Sequence, residues 1–250
     1  FEQQFPEIVE AQPETLAHHH TEAGLIEKAV GYWLKAGQKA AQRFANLEAI
    51  AHLQRGLETV GRLPDGSGRD RLELNLQFAL GPCLIATQGP ASSTAIATFA
   101  RGRDLCARIG DAPEYLQVMF WLATASVIRG ELQQAREATA TLLGLAEARN
   151  DRPMLINAIR GLGMIRLFMG DVVEARALTG RAFEAFSASS EAEKLAARAA
   201  GQDAGAAGLA LMSWALWVLG HIDMAGARMA AALQRADAIG HPHTHAYACY

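Results

Sequence analysis

The side chains of this 250-residue chain with the most evident chemical potential are two groups of histidine. His18, His19 and His20 run together and Glu22 follows, so His18 and Glu22 stand four residues apart, on one face if the segment is helical. Zinc bound there would need two further ligands converging on that face. His241, His243 and His245 alternate, which brings them to one side only of an extended strand. Pro242 after Gly240 and His241 starts a helix instead and spreads them around its circumference. Both groups are expected to be structural or solvated, with no metal bound. Cys83, Cys106 and Cys249 show no CxxC spacing, as expected for reduced thiols in a cytosolic chain. There is no G-x-S-x-G elbow and no phosphate-binding loop, and Gly161-x-Gly163 lacks both a third glycine and a preceding strand. Glu131, Glu137 and Glu147 fall on solvent faces of a helical pattern. The segment is expected to be non-enzymatic, without catalytic residues or cofactor.

The elements that would position any site are written in a ruler of glycines. Gly130, Gly170 and Gly220 are spaced by 40 and then 50 residues, and each is followed five residues later by alanine, at Ala135, Ala175 and Ala225. A second ruler keeps step in Arg108-Ile109-Gly110-Asp111, Arg149-Asn150-Asp151 and Ile239-Gly240-His241. Two helix-ending signals per unit describe a stack of helical hairpins with a period of about 40 residues. One unit carries an insertion, placed at about residues 187–201 by the break Ser187-Ala188-Ser189-Ser190 and by Gly201. It is expected to lengthen a helix or form a small exposed one.

Composition agrees: half the residues are hydrophobic, aromatics are sparse, and Ala, Leu, Arg and Glu favour helix. A net charge of −3 and a pI near 6.3 provide no basic field for phosphates, so no nucleic-acid partner is expected. No apolar run approaches the roughly 18 residues of a membrane helix, and no signal peptide opens the chain, so a cytoplasmic location with no membrane contact is expected. Phe1 and the unfinished element ending at Tyr250 suggest a fragment of a longer protein. Along the chain, Pro13-Glu14 opens a first helix and Gly24 closes it. Ala29, Trp33, Ala36 and Ala40 form the stripe of a second, and Ile50, Leu53 and Leu57 that of a third. Pro64 to Gly68 is a turn, and Gly81-Pro82 should kink the helix that follows. The expected total is about 11–12 helices in one solenoid over residues 1–250.

Leu16-Ala17, Leu122-Ala123, Leu162-Gly163 and Ser213, each followed by the alanines at Ala29, Ala135, Ala175 and Ala225, resemble the small-residue crossings of the tetratricopeptide repeat. The resemblance implies an all-α, right-handed solenoid of helical hairpins. The first 60 residues, with Gln12-Pro13-Glu14-Thr15-Leu16-Ala17-His18-His19-His20 and Ala45-Asn46-Leu47-Glu48-Ala49-Ile50, look like the segment after the ATPase module of bacterial class III adenylate/guanylate cyclases that carry such repeats. That resemblance implies a regulatory region that docks a protein or peptide partner, or other domains of its own chain. An inducer-sensing solenoid of a large ATP-dependent transcription activator and a self-associating homodimer are the alternatives. The repeat register places Gln117, Phe120 and Thr124, then Asn157, Arg160 and Met164, then Ala210, Trp214 and Trp217 on the concave face. For Phe120, Trp214 and Trp217 the plainer expectation is packing between repeats.

Overall fold

A computed structural model describes residues 12–110, 112–198 and 202–249. Asp111, Gly201 and the two chain ends, Phe1 and Tyr250, lie outside the described residues. Those described form thirteen helices and no strand. They are α1 (Pro13–Glu22), α2 (Ile26–Gln42), α3 (Asn46–Val60), α4 (Ser67–Gln88), α5 (Ser93–Ile109), α6 (Tyr115–Ile128) and α7 (Leu132–Ala148). Then come α8 (Arg152–Phe168), α9 (Val172–Ser187), α10 (Glu191–Arg198), α11 (Ala204–Val218), α12 (Ile222–Ile239) and α13 (Pro242–Cys249).

The glycine ruler is a row of helix stops. Gly24, Gly130, Gly170 and Gly220 have positive φ, and so do Phe44 and Asn150. At all six, the next residue donates its N–H to the carbonyl five residues earlier at 2.9–3.0 Å, as in Leu25 to His20, Ala45 to Ala40 and Glu131 to Ser126. That closure absorbs the carbonyls a helix end leaves unpaired. Because Phe44 and Asn150 fill two of the six left-handed positions, glycine spacing alone shows only part of the repeat.

What joins the hairpins is a small residue placed twelve positions before a buried alanine: Ala17 and Ala29, Gly37 and Ala49, Ala123 and Ala135, Gly163 and Ala175, Ser213 and Ala225. A Cβ at Gly37 would stand 2.4 Å from Leu53 Cγ, and one at Gly163 would stand 2.7 Å from Thr179 Cγ2 and 3.3 Å from the Ala175 carbonyl oxygen. Ser213 fits the same crossing by donating its hydroxyl to the Ala225 carbonyl at 2.8 Å. The helices therefore cross near backbone contact, which only small side chains allow.

The chain divides into two compact units, Phe1–Val118 and Met119–Tyr250, the division falling within α6. In the first, consecutive helices from α1 to α5 pack pairwise and α2 also meets α4. Trp33 is buried there, stacked on His52 at 5.8 Å, and its Nε1 donates to Thr21 Oγ1. α4 continues through Pro82, and Gly81 beside it admits the Phe99 ring, whose Cζ would lie 2.4 Å from an added Cβ. Glu73 is clamped by Arg101 through two hydrogen bonds of 2.5 and 2.7 Å, which hold its carboxyl below the usual range despite burial.

In the second unit α7 packs on α8, α8 on α9, α9 on α11 and α11 on α12, the order expected of stacked hairpins. α10 is a short helix that meets α8 and α11 and sends Ala197 into a cluster with Ile156, Phe186 and Ala204. α13 closes onto α11 and α12, with Ala248 against Leu209, Ala210 and Ala232.

Candidate functional site

The side chains the register assigns to the inner face have separate fates. Gln117 is half-buried and belongs to the first unit. Phe120 is buried edge-to-face with Trp121 at 5.4 Å, and the half-buried Thr124 spends its hydroxyl on the Phe120 carbonyl. These two are packing and helix-internal groups. Ala210 is core.

On α8 the stripe Asn157, Arg160, Met164 stays together but is covered. Asn157 is 1 % and Arg160 2 % exposed. α10 covers one end, where Asn157 Nδ2 donates to the Ala197 carbonyl at 3.0 Å and to the Pro153 carbonyl at 3.3 Å. α13 covers the other with Tyr247, a half-buried residue whose hydroxyl reaches Met164 Sδ at 3.9 Å and stands beside Arg160. Arg160 Nη2 also donates to Asn157 Oδ1 at 3.4 Å, while its Nε has no partner. Burial holds the guanidinium below its usual pKa, opposed by Tyr247 and by the charge of Asp203, and burial pushes the Tyr247 hydroxyl up.

Asp203 is a second buried polar centre. Its side chain is fully enclosed, caps α11 by accepting from Ala206 N at 2.9 Å, and takes a fork from Arg235 at 2.5 and 3.0 Å. Arg198 adds charge at 3.7 Å, and Thr244 of α13 accepts the Asp203 backbone N–H at 3.0 Å. Burial alone would raise this carboxyl; the Arg235 fork, the Ala206 amide and Arg198 outweigh it and hold it low. Arg235 also stacks over Phe186 at 4.6 Å, against Gly205. With both arginines committed to Asp203, that acid is not free for Arg160.

An open cleft lies further along α8 and α11. Leu167, Phe168, Trp214, Trp217, Val218 and Ile222 line an almost wholly apolar cleft of about 610 Å³. Trp214 is half-buried, whereas Trp217 is 65 % exposed, and Phe168, Val218 and Ile222 are exposed beside it. Sequence reasoning named the two tryptophans and missed the others, although Leu167 and Phe168 continue the Arg160 and Met164 stripe at the next helical turn. Among the described residues no group of three or more His, Cys, Asp or Glu is placed to hold a metal. His20 instead stacks on Tyr32, and His245 pairs with Asp237 at 3.0 Å. Cys83 and Cys106 are buried and Cys249 is exposed. No helix among the described residues is long and apolar enough to cross a membrane.

No known protein-family profile matches the chain. It is 25 % identical over 235 residues to an uncharacterized protein of Rhizobium meliloti (strain 1021), a match that covers 93 % of this chain and 22 % of that protein. Among solved structures, a Rap protein complexed with Competence and Sporulation Factor superposes with a TM-score of 0.63 at 13 % identity, over 83 % of this chain and 54 % of that one. The Rap conjugation gene regulator of plasmid pLS20, in complex with the Phr* peptide, gives a TM-score of 0.65 at 13 % identity, over 88 % and 56 %. The tetratricopeptide-like repeats of a Podospora anserina kinesin light chain give 0.56 at 15 % identity, over 82 % and 94 %. The fold is a tetratricopeptide-like α-solenoid. Within it, Asn157, Arg160, Met164, Leu167 and Phe168 belong to the first helix of one hairpin, and Trp214, Trp217 and Val218 to the first helix of the next.

Proposed function

We propose that the second unit of this solenoid is a non-catalytic docking module that takes an apolar peptide, or an extended apolar segment of a protein, into the cleft between α8 and α11. The observation carrying this reading is the cleft: six large apolar side chains line it, and Trp217 stands 65 % exposed at its edge. Exposed aromatic and aliphatic groups gathered around a concavity are how helical grooves recognise peptides. Two proteins of the same fold were solved with peptide or factor bound, which supports the choice of ligand class.

The chain spans about a fifth of the length of its R. meliloti relative, so the module belongs in our reading to a larger regulatory protein. The cyclase resemblance at the N-terminal end makes an ATPase-linked nucleotide cyclase the parent we favour. Docking switches such a parent only if the partner prefers one arrangement; turning a 1:99 mixture to 99:1 takes about 5.5 kcal/mol of difference. Two experiments test the proposal. Apolar peptides should bind in calorimetry and shift tryptophan emission, and Trp217→Ala should weaken that binding about tenfold or more without altering unfolding. Cyclase output of the parent with and without this region tests the regulatory part, and identical nucleotide dependence refutes it.

A further inference from the structure

We propose that Arg160 is the anchor for a carboxylate on the docked peptide, and that Tyr247 of α13 stands in for that carboxylate when the site is empty. The inference rests on the peptide reading above and adds to it the charge the ligand must carry.

Three observations carry it. The first is a buried cation without an ion-pair partner. Arg160 is 2 % exposed, forms no ion pair among the described residues, and leaves its Nε without a partner. A guanidinium has five N–H donors arranged to grip a carboxylate by two parallel bonds. Among the described residues it donates to the Asn157 amide oxygen at 3.4 Å and has the Tyr247 hydroxyl beside it, while the charge of Asp203 acts on it without forming an ion pair. Arg235 shows what a satisfied arginine in this unit looks like, forked onto Asp203 at 2.5 and 3.0 Å. A buried charge kept without its counter-ion weakens the fold, and such local conflicts collect at sites of function.

The second is position. Arg160, Met164, Leu167 and Phe168 share one stripe of α8, so the guanidinium and the apolar cleft lie along a single line. At 1.5 Å rise per residue, Arg160 to Phe168 is roughly 12 Å. An extended peptide covers that in three or four residues. A short apolar segment with one carboxylate at its end fits both ends of the line.

The third is the cover. Tyr247 touches both Arg160 and Met164, the two positions a ligand would have to pass from the cleft. It sits on the eight-residue α13, anchored by Ala248 in the core and by Thr244 on the Asp203 amide, and its own ring packs against the same core, so the hydroxyl and not the ring is what gives way. A neutral hydroxyl satisfies a guanidinium less well than a carboxylate, so a ligand carrying one displaces it.

The test uses the whole chain and three synthetic peptides: acetyl-Ala-Leu-Phe-Leu as free acid, the same peptide as C-terminal amide, and the amide with glutamate in the last position. Calorimetry should show the two carboxylate peptides binding about tenfold or more tighter than the neutral amide. If only the free acid gains, the ligand group is a chain terminus; if only the glutamate peptide gains, it is an acidic side chain. The preference should vanish in Arg160→Met and widen in Tyr247→Phe, which keeps the ring and removes the competing hydroxyl. Arg160→Met should also melt at or above the wild-type temperature. Equal binding of all three peptides, weakened by Trp217→Ala, overturns the carboxylate anchor while leaving the apolar groove standing. No binding of any peptide up to about 1 mM overturns both. A marked fall in melting temperature for Arg160→Met makes the arginine a structural strut and overturns the anchor.

Discussion

Replacing Gly163 with alanine tests whether the hairpins are built on close crossings. An added Cβ would lie 2.7 Å from Thr179 Cγ2, 3.2 Å from Thr179 N and 3.3 Å from the Ala175 carbonyl oxygen. Ordinary carbon contacts begin at about 3.5 Å, so the methyl is short of room by most of an ångström. Thr179 cannot turn aside, because its hydroxyl is bonded to the Ala175 carbonyl at 2.8 Å and its β-branch restricts rotation. The other two neighbours are backbone. Overpacking of this kind costs about 1–3 kcal/mol, and immovable neighbours place it in the upper half. Alanine in mid-helix returns about 1 kcal/mol of helix propensity. The net expectation is a loss of about 1–2 kcal/mol. Gly144→Ala on α7 is the matched control, since nothing lies within 4 Å of its Cβ. There only the propensity term survives, a gain of about 0.5–1 kcal/mol. Urea unfolding followed by circular dichroism measures both, with unchanged slope confirming that the denatured state is not the cause. If Gly163→Ala is neutral or stabilising while Gly144→Ala stabilises as expected, the close-crossing argument is wrong.

Further outcomes are expected elsewhere. Asp203→Asn keeps an N-cap but removes the charge facing Arg235 and Arg198, and should cost about 2–4 kcal/mol, discounted because Arg235 is one-third exposed. The folded carboxyl is held below its unfolded value, so its contribution is complete above about pH 4 and is lost as pH falls through the lower, folded pKa. Urea midpoints measured from pH 6 down to pH 2 should therefore fall more steeply for wild type than for Asp203→Asn. Phe44→Gly should stabilise by about 0.5–1 kcal/mol, because Phe44 holds φ 60° and is 66 % exposed, so a left-handed strain is relieved with little packing lost. A lower urea midpoint would show that the ring is packed after all. Trp217→Ala should leave unfolding within about 0.5 kcal/mol of wild type yet weaken an apolar peptide about tenfold or more. A large stability loss would make Trp217 core.

The helices and their stops were legible because their signals are local. The stripe Ala29, Trp33, Ala36 and Ala40 is buried as its spacing requires. Gly130, Gly170 and Gly220 end helices because a left-handed residue there closes the last turn. Phe44 does the same work without the residue type that announces it, so the crossing of Gly37 with Ala49 escaped the ruler. What α10 does was not visible in the sequence: the Ala197 carbonyl near its end covers Asn157.

The sequence by itself determined an all-α chain of hairpins and which residues share a helical stripe, since helical periodicity and capping are written within ten or so residues. Tertiary structure decided which of those positions meet solvent. Asn157 is closed by a bond to Ala197, 40 residues away, and Met164 and Arg160 by Tyr247, more than 80 residues away. Contacts of that span depend on how successive hairpins stack, and no local pattern encodes the stacking. The same stacking leaves Phe168, Trp217 and Val218 open and puts a buried arginine, its Nε without a partner, behind a tyrosine.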